Sequence, residues 1–84
     1  MFFTQQNIID VRNSIARYIV KTPVLRFDFI DRLCGCNVFF KCENFQHTGS
    51  FKYRAAINAI KNISPESNNK GVITHSSGNF AHAL

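Results

Sequence analysis

Apolar side chains recur every three or four residues in two segments, and this spacing predicts two amphipathic helices. The first spans about residues 5–20 and ends before Pro23, because proline disfavours helical geometry at the preceding Thr22. The second begins at Ser50, which can cap it, and runs to about Ile63. The apolar positions are Ile8, Val11, Ile15 and Ile19 in the first helix and Tyr53, Ala56, Ile57, Ile60 and Ile63 in the second.

Two short apolar runs, at residues 37–42 and 71–75, predict strands. The adjacent side chains of Phe39 and Phe40 must point to opposite faces, so both faces of the first strand require burial. The order strand, helix, strand, helix predicts a βαβ unit with parallel strands and a right-handed crossover. We therefore predict an α/β fold, a partial parallel-sheet βαβ unit that follows an N-terminal helix and a short helix closed by Gly35.

Lys52 lies in the first turn of the second long helix, where the helix dipole costs a cation about 0.3–1 kcal/mol. Helical side chains lean toward the N-terminus, so we expect this amine over Thr48 and Gly49, near the strand ends where ligands of parallel sheets bind. Phe45 and Phe51 can keep that space dry, and a desolvated lysine is a nucleophile suited to carbonyl groups. The alternative, an ordinary surface lysine that turns into water, is favoured by these local features alone.

A second loop follows the second predicted strand and also opens a helix. Its backbone N–H groups can hold a carboxylate, and its asparagine amide can fix a ligand oxygen. The same residues equally make a polar turn followed by a helix cap, and composition alone favours that interpretation. The loop consists of Ser76, Ser77, Gly78 and Asn79.

Composition and charge distribution argue against a nucleic-acid partner and against a membrane partner. The net charge is +5, but the ten Lys and Arg residues are scattered between Arg12 and Lys70, which is typical of a solvated surface and not of a nucleic-acid interface. No apolar run approaches the ~18 residues of a membrane span, so we expect no membrane partner. Three cysteines without a signal peptide predict a reduced, cytoplasmic chain, and their spacing predicts no metal site.

The two loops and their surroundings resemble a known family. The segments KCENFQHTGSFKYRAAINAI (residues 41–60) and VITHSSGNFAHAL (residues 72–84) are similar to the N-terminal part of the fold-type II pyridoxal-phosphate enzymes, the class of the tryptophan synthase β-chain. Within that class, the TGSFK and SSGN loops are most similar to those of threonine dehydratases and serine racemases. The TPVL segment at residues 22–25 fits the same group.

The resemblance implies roles for individual residues. Lys52 would hold pyridoxal 5'-phosphate covalently and later move protons, and Phe51 would pack against the cofactor ring. Asn79 would hydrogen-bond the ring hydroxyl, and Ser77 would be catalytic, acting on the opposite face of the substrate carbon. The residues implied to bind the substrate carboxylate and its surroundings are Ser76, Ser77, Gly78 and Asn79.

The resemblance also implies an activity, an ammonia-lyase that converts L-threonine or L-serine to a 2-oxo acid and ammonia. Serine racemase-type activity and a truncated, non-catalytic remnant are the alternatives, whereas a small basic binding module would need clustered basic residues that the sequence lacks. In the complete protein we expect a homo-oligomer. Residues 1–84 would form only the N-terminal part of the enzyme domain, because the family's glycine-rich phosphate loop lies further along, so we expect the chain alone to be inactive.

Three positions depart from the family pattern. Ala55 stands where the family usually has glycine, and Phe80 and His82 stand where it has histidine and glutamine. Ala55 adds only a methyl group. Phe80 directly follows Asn79, so it is the departure that we expect to affect the site.

Overall fold

A computed structural model describes residues 2–67 and 69–84. Helix α1 (Gln5–Ile15) begins with a capping box: the Thr4 hydroxyl accepts a hydrogen bond from the Asn7 N–H (3.1 Å), and Asn7 Oδ1 accepts one from the Thr4 N–H (2.9 Å). After Ile15 the chain tightens into a 3₁₀ turn at Ala16–Tyr18, so the α-helix ends earlier than the apolar spacing predicts.

The described strands are short. Strand β1 (Val24–Leu25) pairs antiparallel with β2 (Phe40–Lys41), and Val24 lies opposite Lys41. Between them, helix α2 (Asp28–Cys34) ends at Gly35, whose φ of 69° is the left-handed conformation predicted for a closing glycine.

The α/β composition and the leading helix agree with the prediction, but the parallel pairing does not. Residues 71–75 form no strand, and the one sheet found within residues 2–67 and 69–84 is the antiparallel β1–β2 pair. The first predicted strand is shortened because the Val38 N–H donates to Asp31 Oδ1 (2.8 Å) and not to a neighbouring strand. Ile73 is 97% exposed, which shows that the second predicted strand has no covering layer among these residues.

Helix α3 (Lys52–Lys61) packs against α1, and the short helix α4 (Asn79–Ala83) packs against α3. Ile15 of α1 and Ala56 of α3 are the buried apolar residues of this packing. The accessible surface is 6910 Å², against about 5,100 Å² for a compact monomer of this size. Much apolar surface therefore stays open. None of the helices described is long and apolar enough to cross a membrane.

Candidate active site

The loop between β2 and α3 is built from two 3₁₀ turns, Glu43–Phe45 and His47–Gly49. Thr48 and Gly49 both adopt positive φ, 61° and 79°. Glycine adopts this conformation freely, but for threonine it costs about 1–3 kcal/mol and persists only where the surroundings impose it. After the two left-handed residues, one extended residue, Ser50, leads to Phe51 at the start of α3.

Lys52 is the first residue of α3, as the sequence predicts, and its side chain is half-buried. Its backbone N–H donates to Ser50 Oγ (3.3 Å), and its Nζ lies 5.4 Å from the centroid of the Phe51 ring. Within the described part of the chain, no carboxylate forms an ion pair with Lys52. The amine therefore lies against an aromatic ring, and no described carboxylate neutralises it.

The expected dry environment of Lys52 is not formed by the phenylalanines named for it. Phe45 and Phe51 are 59% and 61% exposed. Their rings are open because no second layer covers this edge of the molecule within residues 2–67 and 69–84. The structure thus places an amine and a ring together but leaves both accessible.

The second candidate loop lies close to the first. Helix α4, which begins at Asn79, contacts both α3 and the His47–Gly49 turn that precedes Lys52. In the loop itself, the Gly78 N–H donates to Ser76 Oγ (3.2 Å), and Ser76 is half-buried while Ser77 and Gly78 are exposed. The fold therefore brings together the two loops that the sequence singled out.

A polar cluster beneath the first loop was not predicted. Glu43 accepts two hydrogen bonds from the Arg54 guanidinium, at 2.9 Å from Nε and 2.7 Å from Nη2. The Thr22 hydroxyl donates to the same carboxylate at 2.5 Å. Both ends of the Gln46 amide bond the backbone of Val20, at 2.9 Å each. Thr22 and Gln46 are 3% and 4% exposed, whereas Glu43 and Arg54 are half-buried, so the cluster is only partly shielded from water.

These contacts strongly favour the ionised form of Glu43. The Arg54 hydrogen bonds lower the pKa of Glu43 to about 2, against a smaller opposing effect of burial, and Thr22 contributes further. The same pair raises the pKa of Arg54. One feature of the sequence could have indicated this pair: Glu43 precedes the TGSFK motif and Arg54 follows it.

Stability should therefore depend on pH through Glu43. Its pKa falls from 4.5 to about 2 on folding, so the ion pair stabilises the fold fully above about pH 5 and loses that effect as the pH falls toward 2. The difference corresponds to about 3 kcal/mol. Urea titrations between pH 2 and 7 of a complete family member that carries this segment should show this slope of unfolding free energy against pH, and the Glu43→Gln variant should show a smaller one. An equal slope in both proteins would contradict it; Asp31, whose pKa is also lowered, contributes equally to each.

Comparison with known proteins identifies the family. Residues 15–84 match the family model described as pyridoxal-phosphate dependent enzyme. Over 81 residues the chain is 51% identical to a serine racemase of Dictyostelium discoideum and 44% identical to an L-threo-3-hydroxyaspartate ammonia-lyase of Saccharomyces cerevisiae. Each alignment covers 96% of this chain and 25% of the relative, so the chain spans about a quarter of the length of these relatives.

Two solved structures of serine racemases also resemble this chain. The crystal structure of the Dictyostelium discoideum serine racemase superposes with a TM-score of 0.89 at 51% identity, covering 96% of this chain and 27% of that one. Maize serine racemase superposes with a TM-score of 0.86 at 46% identity, covering 94% and 25%. The fold-type II architecture expected from the sequence is thereby confirmed.

The described residues fit the reactive part of pyridoxal phosphate. Its aldehyde needs a primary amine, and the Lys52 Nζ is one without a paired carboxylate in the described chain. Its ring needs an aromatic or apolar neighbour, and the exposed Phe51 ring lies beside that amine. On the motifs, the superposition and the family match together, this chain belongs to the pyridoxal-phosphate dependent enzymes.

Proposed function

We propose that this chain is the lysine-bearing part of an ammonia-lyase that acts on β-hydroxy α-amino acids, with L-serine or L-threonine as substrate. The observation that carries the proposal is the contact between α4 and the His47–Gly49 turn, which brings the Lys52 loop to the Ser76–Asn79 loop. The substrates in the names of the relatives, serine and threo-3-hydroxyaspartate, share an α-amino group, an α-carboxylate and a β-hydroxyl.

Each group of such a substrate has a candidate partner in this chain. The polar loop of Ser76 to Asn79 offers N–H groups and hydroxyls that bind the carboxylate and fix the orientation of the Cα–H bond. The Lys52 amine would hold the cofactor until the substrate's amino group displaces it, and the freed amine would then take the proton from Cα. When bound, pyridoxal phosphate supplies an electron sink for the charge left at Cα. Departure of the β-hydroxyl as water, followed by hydrolysis, yields the 2-oxo acid and ammonia.

Racemisation is the second candidate function, because several of the similar relatives are named serine racemase. It needs a proton donor on the face of Cα opposite Lys52, and Ser77 is the residue that we assign to this role. The two reactions share the loss of the Cα proton and differ in the next step, loss of the hydroxyl or return of a proton. Ser77 therefore distinguishes them.

A chimera tests the proposed function directly. Residues 4–84 replace the matching segment of the Dictyostelium discoideum serine racemase, whose crystal structure superposes on this chain with a TM-score of 0.89. The chimera should release ammonia from L-serine, L-threonine or L-threo-3-hydroxyaspartate, and chiral chromatography should report any D-serine. A folded chimera that binds pyridoxal phosphate but changes none of these substrates would refute the proposal.

Replacing Ser77 with alanine should separate cofactor binding from turnover. In the chimera, Ser77→Ala should leave bound pyridoxal phosphate within about twofold of the parent and lower D-serine formation by about 10²–10⁴-fold, the range for loss of a proton-transfer group. Ammonia release should fall less, because in that reaction Ser77 only binds the substrate carboxylate. Asn79→Ala is the matched comparison and should weaken cofactor binding instead. Release of the cofactor by Ser77→Ala but not by Asn79→Ala would show that the two roles are assigned the wrong way round.

A further inference from the structure

The segment that carries Lys52 is closed at both ends by one ion pair. Glu43 begins the loop and Arg54 lies two residues beyond Lys52 on α3. The guanidinium donates two hydrogen bonds to the carboxylate, of 2.9 and 2.7 Å. Two such bonds fix the relative orientation of the two groups, whereas one bond would leave them free to rotate. The Glu43 and Arg54 side chains are 14% and 28% exposed, so water screens the pair only weakly.

Two buried residues tie this pair to a third part of the chain. The Thr22 hydroxyl donates to Glu43 Oε1, and Lys41 Nζ donates to the Thr22 carbonyl (2.9 Å). The Gln46 amide holds the backbone of Val20 on both its donor and acceptor sides. The loop is thus fixed against residues 20–22, just before β1, by side chains.

This fixation is needed because the loop contains a strained turn. Thr48 adopts φ 61°, a conformation that reverts unless neighbouring contacts hold it. The β1–β2 pair is only two residues long on each side, so backbone pairing supplies little restraint. The contacts of Glu43 and Gln46 lie just before the strained turn, and that of Arg54 lies just after Lys52.

We propose that Thr22, Glu43, Gln46 and Arg54, termed here the loop clamp, are positioning residues that set the direction of the Lys52 amine toward a bound aldehyde. The inference rests on the proposed role of Lys52. It goes beyond that role because it assigns the alignment of the amine to four residues outside the TGSFK and SSGN motifs. A misplacement of about 1 Å at a reacting atom costs up to ~100-fold in rate, so small movements of this loop matter.

The chain contains a matched control for the loop clamp. Arg26 and Asp31 form a second ion pair at 2.6 Å, and Asp31 also accepts from the Val38 N–H at 2.8 Å. This pair holds α2 against the segment before β2, away from the hydrogen bonds of the loop clamp. Asp31→Asn therefore removes a comparable pair without altering the support of Lys52.

The experiment measures where pyridoxal 5'-phosphate reacts. The chimera, which carries residues 4–84 in a complete family member, is incubated with the cofactor, reduced with borohydride and mapped by mass spectrometry. Labelling of Lys52 is expressed relative to Lys21, Lys61 and Lys70. In Glu43→Gln this ratio should fall about 10- to 100-fold, whereas in Asp31→Asn it should stay within about twofold of the parent. Amide hydrogen exchange of residues 47–52 should rise in Glu43→Gln alone.

The outcomes separate the loop clamp from the proposed function. A parent chimera without preferential Lys52 labelling would refute the role of Lys52, and hydrogen exchange of residues 47–52 would then decide on the loop clamp. Unchanged labelling and exchange in Glu43→Gln would overturn the proposal. If Glu43→Gln fails to fold, Thr22→Val tests the proposal instead. This variant keeps the Glu43–Arg54 ion pair and removes only the hydrogen bond from the Thr22 hydroxyl to Glu43. It should lower the Lys52 ratio severalfold, and an unchanged ratio would overturn the proposal.

Discussion

Replacing Lys52 with alanine should abolish covalent fixation of pyridoxal phosphate at the site and should lower turnover by the chimera at least about 10³-fold. The reason is structural: the Lys52 amine stands at the first turn of α3, beside the Phe51 ring, with no carboxylate paired to it in the described chain. The measurement is the visible absorbance and the mass that remain on the protein after borohydride reduction and desalting.

Lys61→Ala is the matched control for this prediction. Lys61 lies at the other end of the same helix, where its Nζ bonds the Ser14 carbonyl (2.5 Å). Its loss should leave cofactor fixation unchanged. Borohydride-fixed cofactor on another lysine of Lys52→Ala, in an amount equal to that on the parent, would show that the aldehyde-binding lysine has been misassigned.

Residues 1–84 by themselves should show no measurable ammonia release from L-serine or L-threonine. The described part of the chain has only Ile15 and Ala56 as buried apolar residues, while Phe39 and Ile73 are 63% and 97% exposed. A two-stranded sheet is marginal even when helices pack on it, and open apolar surface favours aggregation.

The test of this second prediction is expression of residues 1–84, addition of pyridoxal phosphate, and assays of ammonia and of oligomeric state. We expect a chain that is poorly folded, aggregated or dependent on a partner. The chimera, which contains residues 4–84, is the positive control. A monomeric chain that unfolds cooperatively and turns over either amino acid would contradict the prediction.

Local physics made the helices predictable from the sequence. The 3.6-residue apolar spacing and the glycine at position 35 each act within a few residues, so the three helices were expected in the right places, although α1 ends at Ile15 and not near residue 20. The motif loops were also recognisable, and the family they indicated is confirmed by the 51% identity to a serine racemase. The roles of the site residues, the substrate, the oligomeric state and the cellular location stay predictions.

Long-range pairing was not predictable in the same way. Whether residues 71–75 form a strand depends on neighbouring strands, and none pairs with them among residues 2–67 and 69–84. The loop clamp joins Glu43 and Gln46 of one loop to Thr22 and Arg54, which lie 21 and 11 residues from Glu43 and which no local spacing connects to it. Glu43 and Gln46 looked like ordinary loop residues, because the partners that bury them come from other parts of the chain.

The Gln46 amide makes the two hydrogen bonds to Val20 that a neighbouring strand would otherwise make. Its oxygen accepts from the Val20 N–H and its nitrogen donates to the Val20 carbonyl, which is the donor–acceptor pair that one residue of an adjacent strand would offer. Glutamate at this position would keep the size but lose the donor, and leucine would lose both. A single side chain thus imitates a peptide group, and it lets the segment before β1 stay irregular while both backbone polar atoms of Val20 remain satisfied.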